Sequence, residues 1–320
     1  MFNRVVNFVR SGSRRNHGKR PNSALATTFA TSGGRKLKVD FNSYRDKYSD
    51  CRKMSDAEIL NHFEYHGISE GRVAHPLALR ENFLSELKSK SSILEIGPFC
   101  NPGVSGGHVK YFEILDQAAL IERAKLYNLN ADIVPMIHFL SPEGDLSIVK
   151  ENFQCCFSSH VIEHQPDFIR HLQEIEKILL PEGEYCLLIP DHRYCFDHFI
   201  TPSTVADVFD AFERRKTKHD LRSVIEHRAL TTHNDPLSHW LGNHGPQFSA
   251  ETHLVALKNS LDEFKNASGK SIDVHAWQFT PDSFFEIVSS LNKLGLLGLK
   301  PSFVNDTPYG RFEFSAVLKK

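Results

Sequence analysis

The chain has 320 residues, 40% of them apolar and 24% charged, which is a globular composition with enough apolar surface for a sizeable core. A net charge of −1 gives no case for a dedicated nucleic-acid binder, and a mean hydropathy of −0.34 with no apolar run near ~18 residues excludes an integral membrane span. The balance hides an asymmetry: residues 1–38 carry nine Lys/Arg and no acid, leaving 29 basic against 39 acidic residues, or −10, elsewhere.

Residues 1–39 are rich in Ser, Asn, Gly and Arg, and are expected to form a disordered basic tail. The same composition fits an organellar transit peptide or adhesion to an anionic surface. Six cysteines without a CxxC pair point to a reducing compartment, and no secretory signal opens the chain, so a cytoplasmic location is expected, with organellar import through the tail as the alternative. Residues 40–90 are expected to form a helical N-terminal cap. Two short helices are predicted in FNSYRDKYSD and SDAEILNHFEYHG, the second with Ser55 as N-cap and Gly67 as C-cap, and a third from about Leu77 to Leu87.

From Ser91 onward short apolar runs alternate with helical patterns, the mark of a βα-repeating fold with a parallel sheet. Strands are predicted at 92–97, 108–115, 132–140, 153–159 and 184–190. A helix in 117–127 is marked by Leu120, Ala124 and Tyr127, and one in 166–180 by Phe168, Leu172, Ile175 and Leu179, stopped by Pro181 and Gly183. Closing the chain are a helix at 281–295, a strand at 299–306, a turn at Pro308 to Gly310, and a strand at 311–320 that must run antiparallel to its neighbour.

The residues ILEIGP at 93–98, the acid Glu113 with Asp116 behind it, FSSHVIEHQPDFIRHLQEIEKILLPEGEYCLLIPD at 157–191 and the final hairpin together resemble the class I S-adenosylmethionine-dependent methyltransferases of type 11, in a subgroup associated with bacterial glycan biosynthesis. The resemblance covers residues 91–190 and 276–320. It implies an α/β fold: a doubly wound, mostly parallel seven-stranded sheet with an antiparallel last strand, and S-adenosyl-L-methionine as cofactor. It also places Glu95, Gly97, Pro98, Glu113, Asp116, Ser159 and His160 around that cofactor. The physics of the fold agrees, because ligands of open α/β sheets bind at the carboxyl ends of strands, a glycine there admits a close approach, and a carboxylate can accept both ribose hydroxyls. Glu95 also reads as a buried structural acid. The sequence departs from the family at PFCNPGVSGG, where two prolines and three glycines preclude the usual helix after Gly97 and leave Gly103, Gly106 and Gly107 without family equivalents. A dinucleotide GxGxxG and a triphosphate GxxxxGK[ST] are both absent.

Residues 191–275 exceed what a minimal methyltransferase needs and are expected to form a substrate lid. Nine of the eighteen histidines fall there. Methyl transfer to a hydroxyl needs a proton acceptor near the end of the fifth strand, for which Asp191, His192 and His198 are the candidates, with Asp197 behind them. Arg193 suits a substrate carboxylate or phosphate, and Tyr194 or Trp240 the flat face of a sugar. No metal is expected: no HxH or HxxxH pair occurs in the lid, and His160 and His164, which have that spacing, read as a cofactor neighbour and a packing residue. The implied activity is methyl transfer to a hydroxyl of a sugar or glycan intermediate, with glycan-assembly enzymes as possible partners. The alternatives are an inactive scaffold in a glycan-assembly complex and an enzyme acting on a lipid or other small metabolite.

Overall fold

The computed structural model describes residues 27–246 and 250–320. The tail expected to be disordered through residue 39 instead forms a hairpin from Thr27: β1 (Thr27–Ala30) pairs antiparallel with β2 (Lys36–Val39). The reason is Arg35, fully buried in a pocket of acceptors. Its Nε donates to Asp282 (2.6 Å), Nη1 to the Val304 carbonyl (3.0 Å) and Nη2 to Asp306 (2.8 Å). A basic residue that reads as solvated in sequence is therefore the anchor of its segment. The expectation for residues 1–26 lies outside the described residues.

The cap holds α1 (Phe41–Lys47) and α2 (Asp56–His62), whose Tyr44, Ile59 and the following Phe63 share a small core with Leu37 and Cys51. Ser55 and Glu58 cap α2 reciprocally, as its sequence suggests. Gly67 does not act as a C-cap: the helix continues through a wider turn over Phe63–Gly67, and glycine is needed because a Cβ would sit 2.8 Å from Tyr44 Oη and 2.6 Å from Phe63 Cδ2. A third helix, α3 (Arg80–Leu87), leads into the sheet.

The sheet contains β3 (Ile93–Ile96), β4 (Val109–Glu113), β5 (Phe139–Leu140), β6 (Phe153–Ser159), β7 (Leu179–Pro190), β8 (Lys300–Val304) and β9 (Glu313–Lys319), in the spatial order β5-β4-β3-β6-β7-β9-β8. All pairings are parallel except those of β9, which inserts antiparallel between β7 and β8. This is the doubly wound sheet with an antiparallel last strand that the sequence led us to expect. Two strands differ in extent. The third, expected over 132–140, shrinks to Phe139–Leu140, since Pro135 offers no N–H to the ladder and Ala131–Ile133 forms a tight turn. The fifth starts at Leu179, directly after its helix, and Pro181 to Gly183 form an irregularity inside it.

Alternation along the strands builds two apolar layers. On one face Leu94, Ile96, Cys156, Tyr185, Leu187, Phe314 and Ala316 meet Phe168, Leu172 and Ile175 of α5 (Phe168–Ile178), together with helix 281–293. On the other, Ile93, Cys155, Phe157, Cys186, Leu188 and Val317 meet Phe83 and Leu87 of α3, so the cap closes the second face of the sheet. A further helix, α4 (Gln117–Leu126), follows β4 and buries Leu120 and Ala124. All six cysteines are buried free thiols. Residues 205–266 add four helices, Val205–Glu213, Leu221–Ala229, Pro236–Trp240 and Ala250–Asn266. Among the described residues no helix is long and apolar enough to cross a membrane.

Candidate active site at the carboxyl edge of the sheet

The strand order reverses between β3 and β6, and the crevice beyond the carboxyl ends of those two strands is where an open α/β sheet binds ligands. Three residues in the left-handed region crowd that point: Gly97 (φ 65°) and Phe99 (φ 50°) after β3, and His160 (φ 56°) after β6. A non-glycine residue held there is strained, and such strain concentrates at working sites. Glycine is required at position 97, where a Cβ would lie 2.6 Å from Val161 Cγ2.

Around this point the carboxylates are already engaged. Glu95 is buried and accepts the Gly103 amide at 2.7 Å and the Val104 amide at 3.2 Å; burial pushes it up to about 7 despite those donors. It therefore pins the glycine-rich loop, which is its structural reading. Glu113 ends β4 and accepts the Phe99 amide at 3.2 Å and the Ile114 amide at 2.8 Å, with burial the main cause of its raised pKa. Asp116 is exposed and caps helix Gln117–Leu126 through the Ala119 amide, so it does not share the position of Glu113. Pro98 is buried, and Ser159 closes β6 beside the fully buried Ser158, whose Oγ meets Tyr185 Oη at 2.8 Å. His160 places Nε2 2.6 Å from Glu313 Oε2, and Arg80 of α3 reaches the same oxygen at 2.7 Å. Cap, last strand and β6 thus converge on Glu313, a residue that sequence reasoning passed over because it sits 153 positions from His160.

At the end of β7 the structure separates the three expected proton acceptors. Asp191 is fully buried and saturated: it accepts the Arg193 amide (3.1 Å), Arg193 Nε (2.9 Å), Arg193 Nη2 (2.6 Å) and Thr307 Oγ1 (2.7 Å). It is an anchor for Arg193 and has no lone pair to spare for a substrate proton. Arg193, expected to clamp a substrate anion, spends its fork on Asp191. His198 directs Nδ1 to the Arg193 carbonyl (2.7 Å) and stacks at 3.7 Å on His244. His192 is different: its Nδ1 is buried without a hydrogen-bond partner among the described residues, and burial lowers its pKa, leaving a neutral imidazole at neutral pH.

Tyr194 and Trp240 stack on each other at 3.9 Å and 6°, and Trp240 donates Nε1–H to the Arg311 carbonyl at 2.9 Å. Each ring covers the other in place of a sugar, and Trp240 packs against Gly71, where a Cβ would lie 2.8 Å from its Cη2. Six of the nine histidines in 191–275 fall in two groups: His198, His233, His239 and His244 stack together, while His227 and His275 join His164, Glu163 and Asp197 near the β6 end.

No protein-family model matches this sequence, and no curated protein matches it. Among solved structures the chain is similar to the glycopeptide N-methyltransferase MtfA complexed with S-adenosyl-L-homocysteine, at 16% identity over 35% of this chain and 47% of that one, with a TM-score of 0.27. The chain thus spans about half the length of the MtfA chains it matches. It is also similar to the Burkholderia thailandensis 1,6-didemethyltoxoflavin-N1-methyltransferase (11% identity, 88% of this chain, 86% of that one, TM-score 0.38) and to the mitomycin 7-O-methyltransferase MmcR (11%, 88%, 61%, TM-score 0.37). The functional reading rests on the sheet order and on the residues themselves.

Proposed function

We propose that the chain is a methyltransferase using S-adenosyl-L-methionine, with a hydroxyl of a sugar or glycan intermediate as acceptor. The observation that carries the reading is the cluster of left-handed residues Gly97, Phe99 and His160 at the reversal of strand order, with a carboxylate, Glu113, at the end of the neighbouring strand. These residues fit the cofactor. Gly97 keeps the backbone bare, Glu113 retains lone pairs for ribose hydroxyls after accepting two amides, and Ser159 and His160 flank the opposite side. When bound, the cofactor supplies an electrophilic methyl group. The chain's own part is alignment and removal of the acceptor proton, and His192 takes that role in place of Asp191 and His198 because its Nδ1 is neutral and unpartnered. The glycan acceptor rests on the resemblance of residues 91–190 and 276–320 to methyltransferases of a glycan-associated subgroup. Cytoplasmic glycan-assembly enzymes are then the expected neighbours.

The test is transfer of an isotopically labelled methyl group from the cofactor to a panel of free and nucleotide-linked sugars, read by mass spectrometry. Label on a sugar oxygen, reduced by two to four orders of magnitude in His192→Gln, supports the reading. Label on a lipid or other metabolite moves the acceptor class, and cofactor binding without transfer to any panel member removes the sugar assignment.

A further inference from the structure

Glu163 lies in the turn that follows β6 and is completely buried, yet neither of its carboxylate oxygens accepts a hydrogen bond among the described residues. A buried carboxylate left this way is costly unless a cation faces it. Two imidazoles do face it: His164 Nε2 and His275 Nε2 each lie 4.0 Å from Oε1. Each has its other ring nitrogen beside a second carboxylate, as a hydrogen bond for His275 and as an ion-pair contact for His164. His275 Nδ1 is 2.6 Å from Asp197 Oδ2, and His164 Nδ1 is 2.9 Å from Asp273 Oδ1. An imidazole whose Nδ1 proton is held by a carboxylate presents the Nε2 lone pair, and this pairing is what orients histidine ligands in metal sites. The three ligand atoms lie within 4.8 Å of one another. A tetrahedral zinc site places ligand atoms about 3.4 Å apart, so each side chain needs to move inward by only about half an ångström.

We propose that Glu163, His164 and His275 bind a first-row divalent cation of the zinc type, with Asp197 and Asp273 as the residues that orient the two histidines. Two histidines and one glutamate are a known ligand set for an ion that keeps a position open. His160 Nδ1 lies 3.7 Å from the same carboxylate oxygen but is not part of the group whose ligand atoms all lie within 4.8 Å of one another. The other histidine group does not compete on geometry. The rings of His198 and His244 are 8° from parallel at 3.7 Å, and lone pairs in parallel ring planes cannot converge on one ion, while His239 Nδ1 is already 3.0 Å from His244 Nδ1. Sequence spacing could not reveal the set, because His275 joins Glu163 only through the fold. An ion here would tie the lid, through His275, to the end of β6. The proposal stands apart from the cofactor assignment and is tested without cofactor.

The test is calorimetric titration of the untagged full chain, stripped with chelator, with Zn²⁺, and in parallel with Co²⁺ followed by visible absorption. The expected result is one ion per chain with micromolar or tighter affinity and an intense Co²⁺ band of low coordination number, both lost in Glu163→Gln and His275→Ala. Since either substitution could unfold the chain, Asp197→Asn is the second variant: it keeps all three ligands and should weaken binding 10- to 100-fold. Circular dichroism establishes folding in each case. No stoichiometric binding by the folded wild type overturns the proposal. So does binding that survives in folded Glu163→Gln and disappears in His244→Ala, which would assign the ion to the stacked group.

Discussion

Arg193→Ala separates an anchoring role for Asp191 from a catalytic one. The substitution removes two of the four donors to a carboxylate that is fully buried, leaving only the Arg193 backbone amide and Thr307 Oγ1 if the backbone holds its course. Breaking a buried ion pair from one side costs about 3–5 kcal/mol, and because the Arg193 side chain is 37% exposed, screening reduces the expected loss to about 2–3 kcal/mol. Asp191→Asn in the Arg193→Ala background neutralises the stranded charge, so the double variant should recover about 1–2 kcal/mol. Urea unfolding followed by circular dichroism measures all four corners of the cycle. A loss under about 0.5 kcal/mol in Arg193→Ala, or plain additivity in the double variant, would refute the anchor. A free base at Asp191 predicts the opposite pattern: stability untouched and turnover lost in Asp191→Asn alone.

Gly97→Ala should cost about 2–4 kcal/mol, from the left-handed φ and from overlap with Val161, and Val161→Ala should return about 1–2 kcal/mol of it in a double-variant cycle; no coupling between the two would mean the contact is not there. His171 is buried against Tyr185, with Nε2 3.0 Å from the phenol oxygen, and burial lowers its pKa to about 3. It stays neutral in the folded chain while the unfolded chain takes up a proton below about 6.5, so its contribution is intact above that pH and lost as pH falls. The loss is about 2 kcal/mol between pH 6.5 and 4.5, and His171→Gln should flatten the stability profile by that amount; an unchanged slope counts against the assignment. Arg35→Ala strands the buried Asp306 and should cost about 3–5 kcal/mol, with early proteolytic cleavage in the hairpin of residues 27–39; cleavage at the wild-type rate would show that Arg35 does not hold it.

What could be read from sequence was what depends on local period. Phe168, Leu172 and Ile175 mark the buried face of α5, Ser55 caps α2, and the turn at Pro308 to Gly310 sets the last strand antiparallel. Gly97 was legible because a glycine ending a first strand has a conformational reason to be there. Pairings between distant charged residues were not. Arg35 reads as part of a solvated tail, and only the fold shows it meeting Asp282 and Asp306. Asp191 and Arg193 are two positions apart and each invites a functional role, yet they neutralise one another. The histidine enrichment of residues 191–275 was visible, but the group around Glu163 arises from a tertiary contact between residues about 110 positions apart. The third strand failed for a reason present in the sequence, since Pro135 withholds a donor from the ladder.

The most direct measurement is calorimetric titration of the full chain with S-adenosyl-L-homocysteine, with Gly97→Arg, confirmed folded by circular dichroism, as the control that fills the crevice. Stoichiometric micromolar binding that is lost in the control is the predicted result. No binding by folded wild-type protein up to millimolar ligand would contradict the account and leave the sheet as a scaffold without cofactor.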